Sequence, residues 1–236
     1  MNANPLILED VAVSRGAGPV ISGVRFALHP GRIVALVGPN GAGKTSLIES
    51  ISGVTPNSAG RIMLGETRID RLTRVERART GISHIEQGRA VFPSLTVREN
   101  LSLTARTPQE LKETLAHFPE LEKRIDSAAG LLSGGEQQMV VLARAFAAQP
   151  QFLLIDEMSL GLAPVVFMRL LPIVSKLAEA GTGVLLVEQF TELALGIADE
   201  ALVVASGTVN YQGTVEALRS DPDLLHRAYL GGDRAV

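Results

Sequence analysis

The sequence contains no cysteine, which removes disulfides, thiolate nucleophiles and cysteine-ligated zinc and fits a reducing compartment. It also lacks a strong charge of either sign. Its 22 basic and 25 acidic residues give a formal net charge of −3, so bulk electrostatics favour neither nucleic acid nor an anionic membrane surface. Met1 to Glu9 lacks the basic start and apolar stretch of a secretory signal. The apolar runs are too short to span a bilayer, so any membrane association must pass through partners. Repeats, low-complexity tracts and long linkers are also missing.

What is present fits a single α/β domain. With 236 residues, 46% of them hydrophobic and 20% charged, the chain can bury a full core, and its 23 glycines scattered among apolar runs imply many short turns. Ile33–Val37, Phe152–Ile155 and Gly183–Val187 are apolar and rich in β-branched residues, as strands of a parallel sheet covered on both faces would be. Leu6–Val13 and Val20–Leu28 alternate apolar with polar residues around Gly16-Ala17-Gly18-Pro19, which predicts a hairpin. Gly60–Leu64 and Val203–Asn210 read as further short strands. Helical spacing covers Val97–Leu103, Pro108–Arg124, Gly135–Ala148, Val165–Ala180 and Asp221–Leu230, with Pro172 expected to kink or shorten the fourth.

Gly38-Pro39-Asn40-Gly41-Ala42-Gly43-Lys44-Thr45 fits the phosphate-loop pattern G-x-x-x-x-G-K-[ST] between the Ile33–Val37 strand and the helix-favouring Ser46–Ser50. Glycines let backbone N–H groups turn inward around phosphate, and the helix start adds a positive dipole end. Lys44 places a cation on the β- and γ-phosphates, while the Thr45 hydroxyl faces magnesium. The loop defines a nucleoside-triphosphate site but does not choose among kinases, GTPases and motor proteins.

Two further segments narrow the choice. Leu132-Ser133-Gly134-Gly135-Glu136-Gln137-Gln138 opens a helix with a serine and two glycines, exposing donors suited to a phosphate. Phe152-Leu153-Leu154-Ile155-Asp156-Glu157 is an apolar strand ending in two carboxylates, a pair that in isolation is usually a solvated loop. In this order the motifs resemble the ATP-binding cassette family, whose signature is L-S-G-G-Q/E, and the resemblance covers nearly the whole chain. It implies a dimer with two ATPs sandwiched between subunits, Ser133 and Gly135 capping the γ-phosphate bound by the opposite subunit. Asp156 would hold magnesium, because a hard cation prefers oxygen ligands beside phosphates, and Glu157 would activate the attacking water.

The same resemblance places Gln87 in the Q-loop, touching magnesium and the water, and Ser159-Leu160-Gly161-Leu162-Ala163-Pro164 in the D-loop that crosses the dimer interface. The candidate ATP contacts are thus Gly38, Pro39, Asn40, Gly41, Ala42, Gly43, Lys44, Thr45 and Ser46, with Arg15 at the base end and Ser133 and Gly135 from the second subunit. Catalytic candidates are Glu157, Lys44, Gln87 and Gln189, and metal candidates Thr45, Gln87 and Asp156.

Gly88-Arg89-Ala90-Val91-Phe92-Pro93-Ser94-Leu95-Thr96-Val97, Gly134–Met139, Val187-Glu188-Gln189 and Ala228-Tyr229-Leu230-Gly231 look like the branched-chain amino acid importer ATPases and the related amide and urea systems. This implies two integral-membrane permeases, a second cassette ATPase, identical or different, and indirectly a periplasmic or extracellular solute-binding protein, with no nucleic acid. The subunit would be cytoplasmic, held on the inner face of the membrane by its partners. A cassette for another cargo such as lipid or lipopolysaccharide shares the same core chemistry, and a binding-only regulatory cassette is the other alternative.

The chain departs from the family pattern in places. Gln189 stands where most cassettes have a histidine on the γ-phosphate; it donates a hydrogen bond without carrying charge, and V-E-Q is a trait of one ATPase type in the importers it resembles. Val13-Ser14-Arg15-Gly16 has no aromatic residue for the adenine, so either Arg15 stacks its guanidinium on the base or base selectivity is weaker. Met158 replaces the proline that commonly follows the catalytic glutamate, and Thr104–Gly130 is shorter than the usual helical subdomain. His29, His84, His117 and His226 lie outside the motifs. The expected fold is a parallel-sheet P-loop core over 1–87 and 149–236 with an N-terminal antiparallel β part, and a helical subdomain inserted over 88–148.

Overall fold

The computed structural model describes residues 4–16, 18–88 and 90–230. Met1–Ala3, Ala17 of the expected turn, Arg89 and Gly231 lie outside them. The N-terminal sheet is antiparallel, in the order β2 (Gly18–Leu28), β1 (Leu6–Arg15), β4 (Ala59–Leu64), β5 (Thr67–Arg68). The second sheet runs β10 (Thr208–Thr214), β9 (Glu200–Ala205), β3 (Ile33–Val37), β8 (Gly183–Val187), β7 (Phe152–Asp156), β6 (Ile82–Ile85). It is parallel throughout except for β10, which returns antiparallel along the β9 edge.

Burial on both faces explains why the central strands are apolar without alternation. Ile33, Ala35 and Val37 of β3 belong to one core and Val34 and Leu36 to the other, following the two-residue period of a strand. The second core joins the antiparallel sheet to α1 (Lys44–Ser52), through Leu6, Leu8, Leu47, Ile48 and Ile51. The first takes in α6 (Gly134–Ala148) and α7 (Pro164–Glu179), through Val140, Leu142, Phe167 and Leu170. Buried Arg77 in α2 (Arg74–Arg79) donates to the carbonyls of Ser50 and Ile51 at 2.5 and 2.9 Å, satisfying acceptors that the end of α1 leaves open.

Between β6 and β7 the chain is helical: α3 (Val97–Ser102), α4 (Pro108–Ala116), α5 (Pro119–Glu122), a 3-10 turn at Ala129–Leu131, and α6. The expected continuous helix Pro108–Arg124 is therefore two, because Pro119 starts a new one after His117-Phe118. Val203–Asn210 is likewise not one strand. Ser206 and Gly207 take φ of +51 and +74 and turn β9 into β10. α7 runs unshortened through Pro172. β6 and α2 were not foreseen, nor were α8 (Thr191–Ile197) and α9 (Val215–Ser220), which precede α10 (Pro222–Leu230). No helix of the described residues is long and apolar enough to cross a membrane.

Candidate active site

The loop from β3 to α1 is shaped by glycines that nothing larger can replace. Gly38 has φ +148, and a Cβ there would fall 1.9 Å from the Val204 carbonyl oxygen; Gly43 has φ +100 and would meet Ile21 and Val20 at 2.8 Å. These approaches bend the chain so that the unpaired N–H groups of the first turn of α1 face the loop, the arrangement that binds phosphate. A cavity of about 320 Å³ opens there, lined by Val20, Asn40, Gly41, Gly43, Lys44, Thr45, Ser46, Glu157 and Gln189.

Lys44 is buried and its Nζ donates to the carbonyls of Gly38 and Pro39 at 2.7 and 3.0 Å. Burial lowers its pKa, opposed by the carboxylates of Glu157 and Asp156. The Thr45 hydroxyl donates to Asp156 Oδ1 at 3.3 Å, joining the start of α1 to the end of β7. Burial pushes the Asp156 carboxyl up to about 6, the Thr45 hydrogen bond pulls it down, and the neighbouring Glu157 charge raises it again. The hydroxyl and carboxylate oxygens suit magnesium, a hard cation that keeps waters and phosphate oxygens as its other ligands. Its charge would reverse what burial does to Asp156.

Glu157 has φ +46, a left-handed conformation uncommon outside glycine, and its N–H donates to the Val187 carbonyl at 2.9 Å. Its Oε2 accepts from Gln87 Nε2 at 2.9 Å and from Gln189 Nε2 at 3.2 Å. Two amides from different strand ends thus aim one carboxylate beside the lysine and the threonine–aspartate pair. Met158 is buried in the core, occupying the place expected for proline.

Two groups of expected residues stand apart from the cavity. Ser133 caps α6, its hydroxyl and N–H bonded to Glu136 Oε2 at 2.7 and 2.8 Å, and a Cβ on Gly135 would meet Val166 of α7 at 2.5 Å. The serine and glycine therefore have local roles as cap and as helix contact. Arg15 is ion-paired to Glu49 of α1, and its Nε donates to Ser46 Oγ at 3.4 Å. Glu49 was missed, although it lies one turn after Thr45 on the same helix. So was the pair made by Glu188 and Ser159, whose signal is a carboxylate directly after an apolar strand.

A parallel sheet with a glycine-bent phosphate loop and two carboxylates at the end of the strand two places away defines a P-loop nucleoside-triphosphate-binding protein of α/β architecture. Residues 21–159 match the family described as ABC transporter. The chain is 36% identical to the high-affinity branched-chain amino acid transport ATP-binding protein BraG of Pseudomonas aeruginosa, across 96% of this chain and 100% of that one. It is 33% identical to the lipopolysaccharide export system ATP-binding protein LptB of Escherichia coli, across 97% and 98%. Among solved structures, the ATP-binding subunit of an ABC transporter superposes with a TM-score of 0.82 at 28% identity, covering 96% of this chain and 98% of that one. A cassette in its ADP conformation gives 0.84 at 24% identity, covering 97% and 99%, a likeness of fold alone. The chain belongs to the ABC transporter family and is an ATPase of that family.

Proposed function

We propose that this chain is the ATP-hydrolysing subunit of an importer for branched-chain amino acids or related small polar solutes. The observation that carries the catalytic part is the Glu157 carboxylate held by Gln87 and Gln189 beside Lys44 and the Thr45–Asp156 pair. In this reading the loop from Gly38 to Ser46 binds the phosphates, and Lys44 leaves its loop carbonyls for the β- and γ-oxygens. Glu157 accepts the proton of the attacking water, while Gln87 orients that water and Gln189 donates a hydrogen bond to the γ-phosphate. Thr45, Asp156 and Gln87 would hold magnesium, whose charge would offset that of the transferring phosphoryl group. Arg15 lies at the base end, tied to Glu49.

Ser133 and Gly135 serve the ATP of a second cassette, identical or different, so that binding closes the dimer and hydrolysis reopens it. Residues 88–148 act as the helical subdomain that moves against the core of 1–87 and 149–236. That motion is passed to two permease subunits at the inner face of the membrane, coupling the cycle to alternating access. A solute-binding protein outside the membrane completes the system, and the working subunit is cytoplasmic. The similarity to BraG across the chain supports the amino-acid cargo.

The comparable similarity to LptB supports a second cargo, lipopolysaccharide or another lipid, with the same ATPase core. Magnesium-dependent ATP hydrolysis by the purified chain, with and without candidate permeases, tests the catalytic reading. Glu157→Gln is expected to bind ATP with turnover reduced about a hundredfold or more. A variant that hydrolyses at the wild-type rate removes Glu157 as the base, and a wild type idle with every partner supports the binding-only alternative.

A further inference from the structure

The end of β8 and the loop after β7 are bonded at successive positions. The Val187 carbonyl accepts from Glu157 N–H at 2.9 Å, Glu188 accepts from Ser159, and Gln189 donates to Glu157 Oε2 at 3.2 Å. Glu188 is only 1% exposed, and hydrolysis as described above does not use it. Its Oε1 accepts from the Ser159 N–H at 3.2 Å and its Oε2 accepts from the Ser159 hydroxyl. A carboxyl so deep in the protein is retained only when its hydrogen bonds are met, and here Ser159 supplies two donors and the backbone of Gln189 another. Burial pushes Glu188 up to about 7, while the Ser159 donors pull the other way.

The loop is held on either side of its exposed residue, for Leu162 packs against the core and its N–H donates to the Ser159 carbonyl at 2.9 Å. Met158 and Ser159 are buried, Leu160 is 48% exposed, and Gly161 turns the chain with φ +71. Ser159 is the buried polar residue next to the exposed Leu160. From there the connection runs through Glu188 to its chain neighbour Gln189, and so to the Glu157 carboxylate.

We infer that Glu188 is a positioning residue for hydrolysis: its grip on Ser159 keeps the 158–163 loop in register with Gln189 and so with the Glu157 carboxylate. The inference rests on Glu157 as the general base. A buried staple that merely holds the fold would predict lost stability with unchanged turnover per folded molecule. A positioning role moves kcat with little change in KM, because the geometry at the reacting water is altered while the phosphate loop is not.

The test uses the full chain with Mg-ATP and any partners found necessary for turnover. Glu188→Ala, Glu188→Gln and Ser159→Ala are compared, together with the double alanine variant, for kcat, KM, ATP affinity and Tm. Glu188→Ala is expected to lower kcat about tenfold or more with KM within about twofold. Glu188→Gln preserves volume, an acceptor for the Ser159 N–H and, through its amide, a donor to the Ser159 hydroxyl oxygen, so it is expected to stay within about threefold of wild type and to recover most of what alanine loses. The double variant should be no slower than Glu188→Ala by more than about twofold, since both changes break one connection. Wild-type kcat in both Glu188→Ala and Ser159→Ala, a loss in Glu188→Gln as large as in Glu188→Ala, or independent additive losses in the double variant, overturns the inference. If Glu157→Gln is inactive while Glu188→Ala and Ser159→Ala turn over normally, the base stands and the positioning role falls. If Glu157→Gln hydrolyses normally, the base reading falls, and the positioning role with it.

Discussion

His84 illustrates how a single side chain ties pH to stability away from the phosphates. It sits on β6 with Nδ1 3.0 Å from Ser52 Oγ, and its Nε2 is buried without a hydrogen-bond partner in the described structure. Burial holds its pKa down at about 4, against the raising charges of Glu86 and Glu49 and with the lowering charge of Arg74. The unfolded chain therefore binds a proton near pH 6.5 that the folded chain refuses until about pH 4, and stability is lost as pH falls across that window. Between pH 7 and 5 this amounts to about 2 kcal/mol. Asp156 and Glu188, raised to about 6 and about 7, run in the opposite sense, their folded forms losing relative stability as pH rises through the same range. The readable quantity is thus a difference between variants. His84→Asn should gain about 2 kcal/mol on wild type when urea unfolding is moved from pH 7 to pH 5. A difference that does not change with pH would mean that His84 is not held neutral by the fold.

At the scale of elements, α7 carries a proline inside sixteen helical residues. Pro172 cannot donate to the Met168 carbonyl, and its ring crowds the preceding turn, yet the helix continues because Phe167, Leu170, Leu171 and Val174 are buried against the core on either side of it. Pro172 itself is exposed, so replacing it removes no packing. Pro172→Ala should stabilise the chain by about 2 kcal/mol, the helix gain being reduced by the extra freedom of the unfolded chain, and raise Tm by about 4–8 °C. An unchanged or lower Tm would show that the helix has already relaxed around the ring. The same contest between local signal and burial governs what could be read from the sequence. β3, β7 and β8 were legible because both of their faces are apolar, and the phosphate loop because its pattern is long and sits between a strand and a helix. β6 was hidden because Ser83 and His84 interrupt a strand of four residues, and only pairing with β7 defines it. The β9–β10 turn had a signal in Ser206-Gly207 that the surrounding valines outweighed. Of the site, Lys44, Thr45, Asp156, Gln87, Glu157 and Gln189 could be named from motif order, whereas Glu49 and the Glu188–Ser159 pair depend on contacts between elements far apart in sequence.

For the molecule as a whole, the candidate residues do not all meet in one chain. Lys44, Thr45, Glu157 and Gln189 share a cavity, while Ser133 and Gly135 start α6 and do not line it. Large apolar side chains are left in water beside the proposed contact motifs: Leu131 is 85% exposed just before the signature, and Leu160 and Val165 are 48% and 59% exposed in and after the D-loop. Apolar groups gathered around polar contact residues mark a surface that another protein covers. If a second chain supplies Ser133 and Gly135, ATP bound to one phosphate loop becomes part of the interface, and slowing hydrolysis should make the assembly last. Glu157→Gln with Mg-ATP is therefore expected to run as a dimer in light scattering, returning to monomer when ATP is removed. Adding Ser133→Arg to that variant places a bulky cation at the proposed contact while leaving the phosphate loop of the same chain intact. It should abolish the dimer with single-chain ATP affinity changed by no more than about threefold. The same chain with Ser133→Arg still dimerising, or Glu157→Gln staying monomeric at saturating ATP in the presence of its permeases, would mean that the signature serves only as the cap and packing surface of α6.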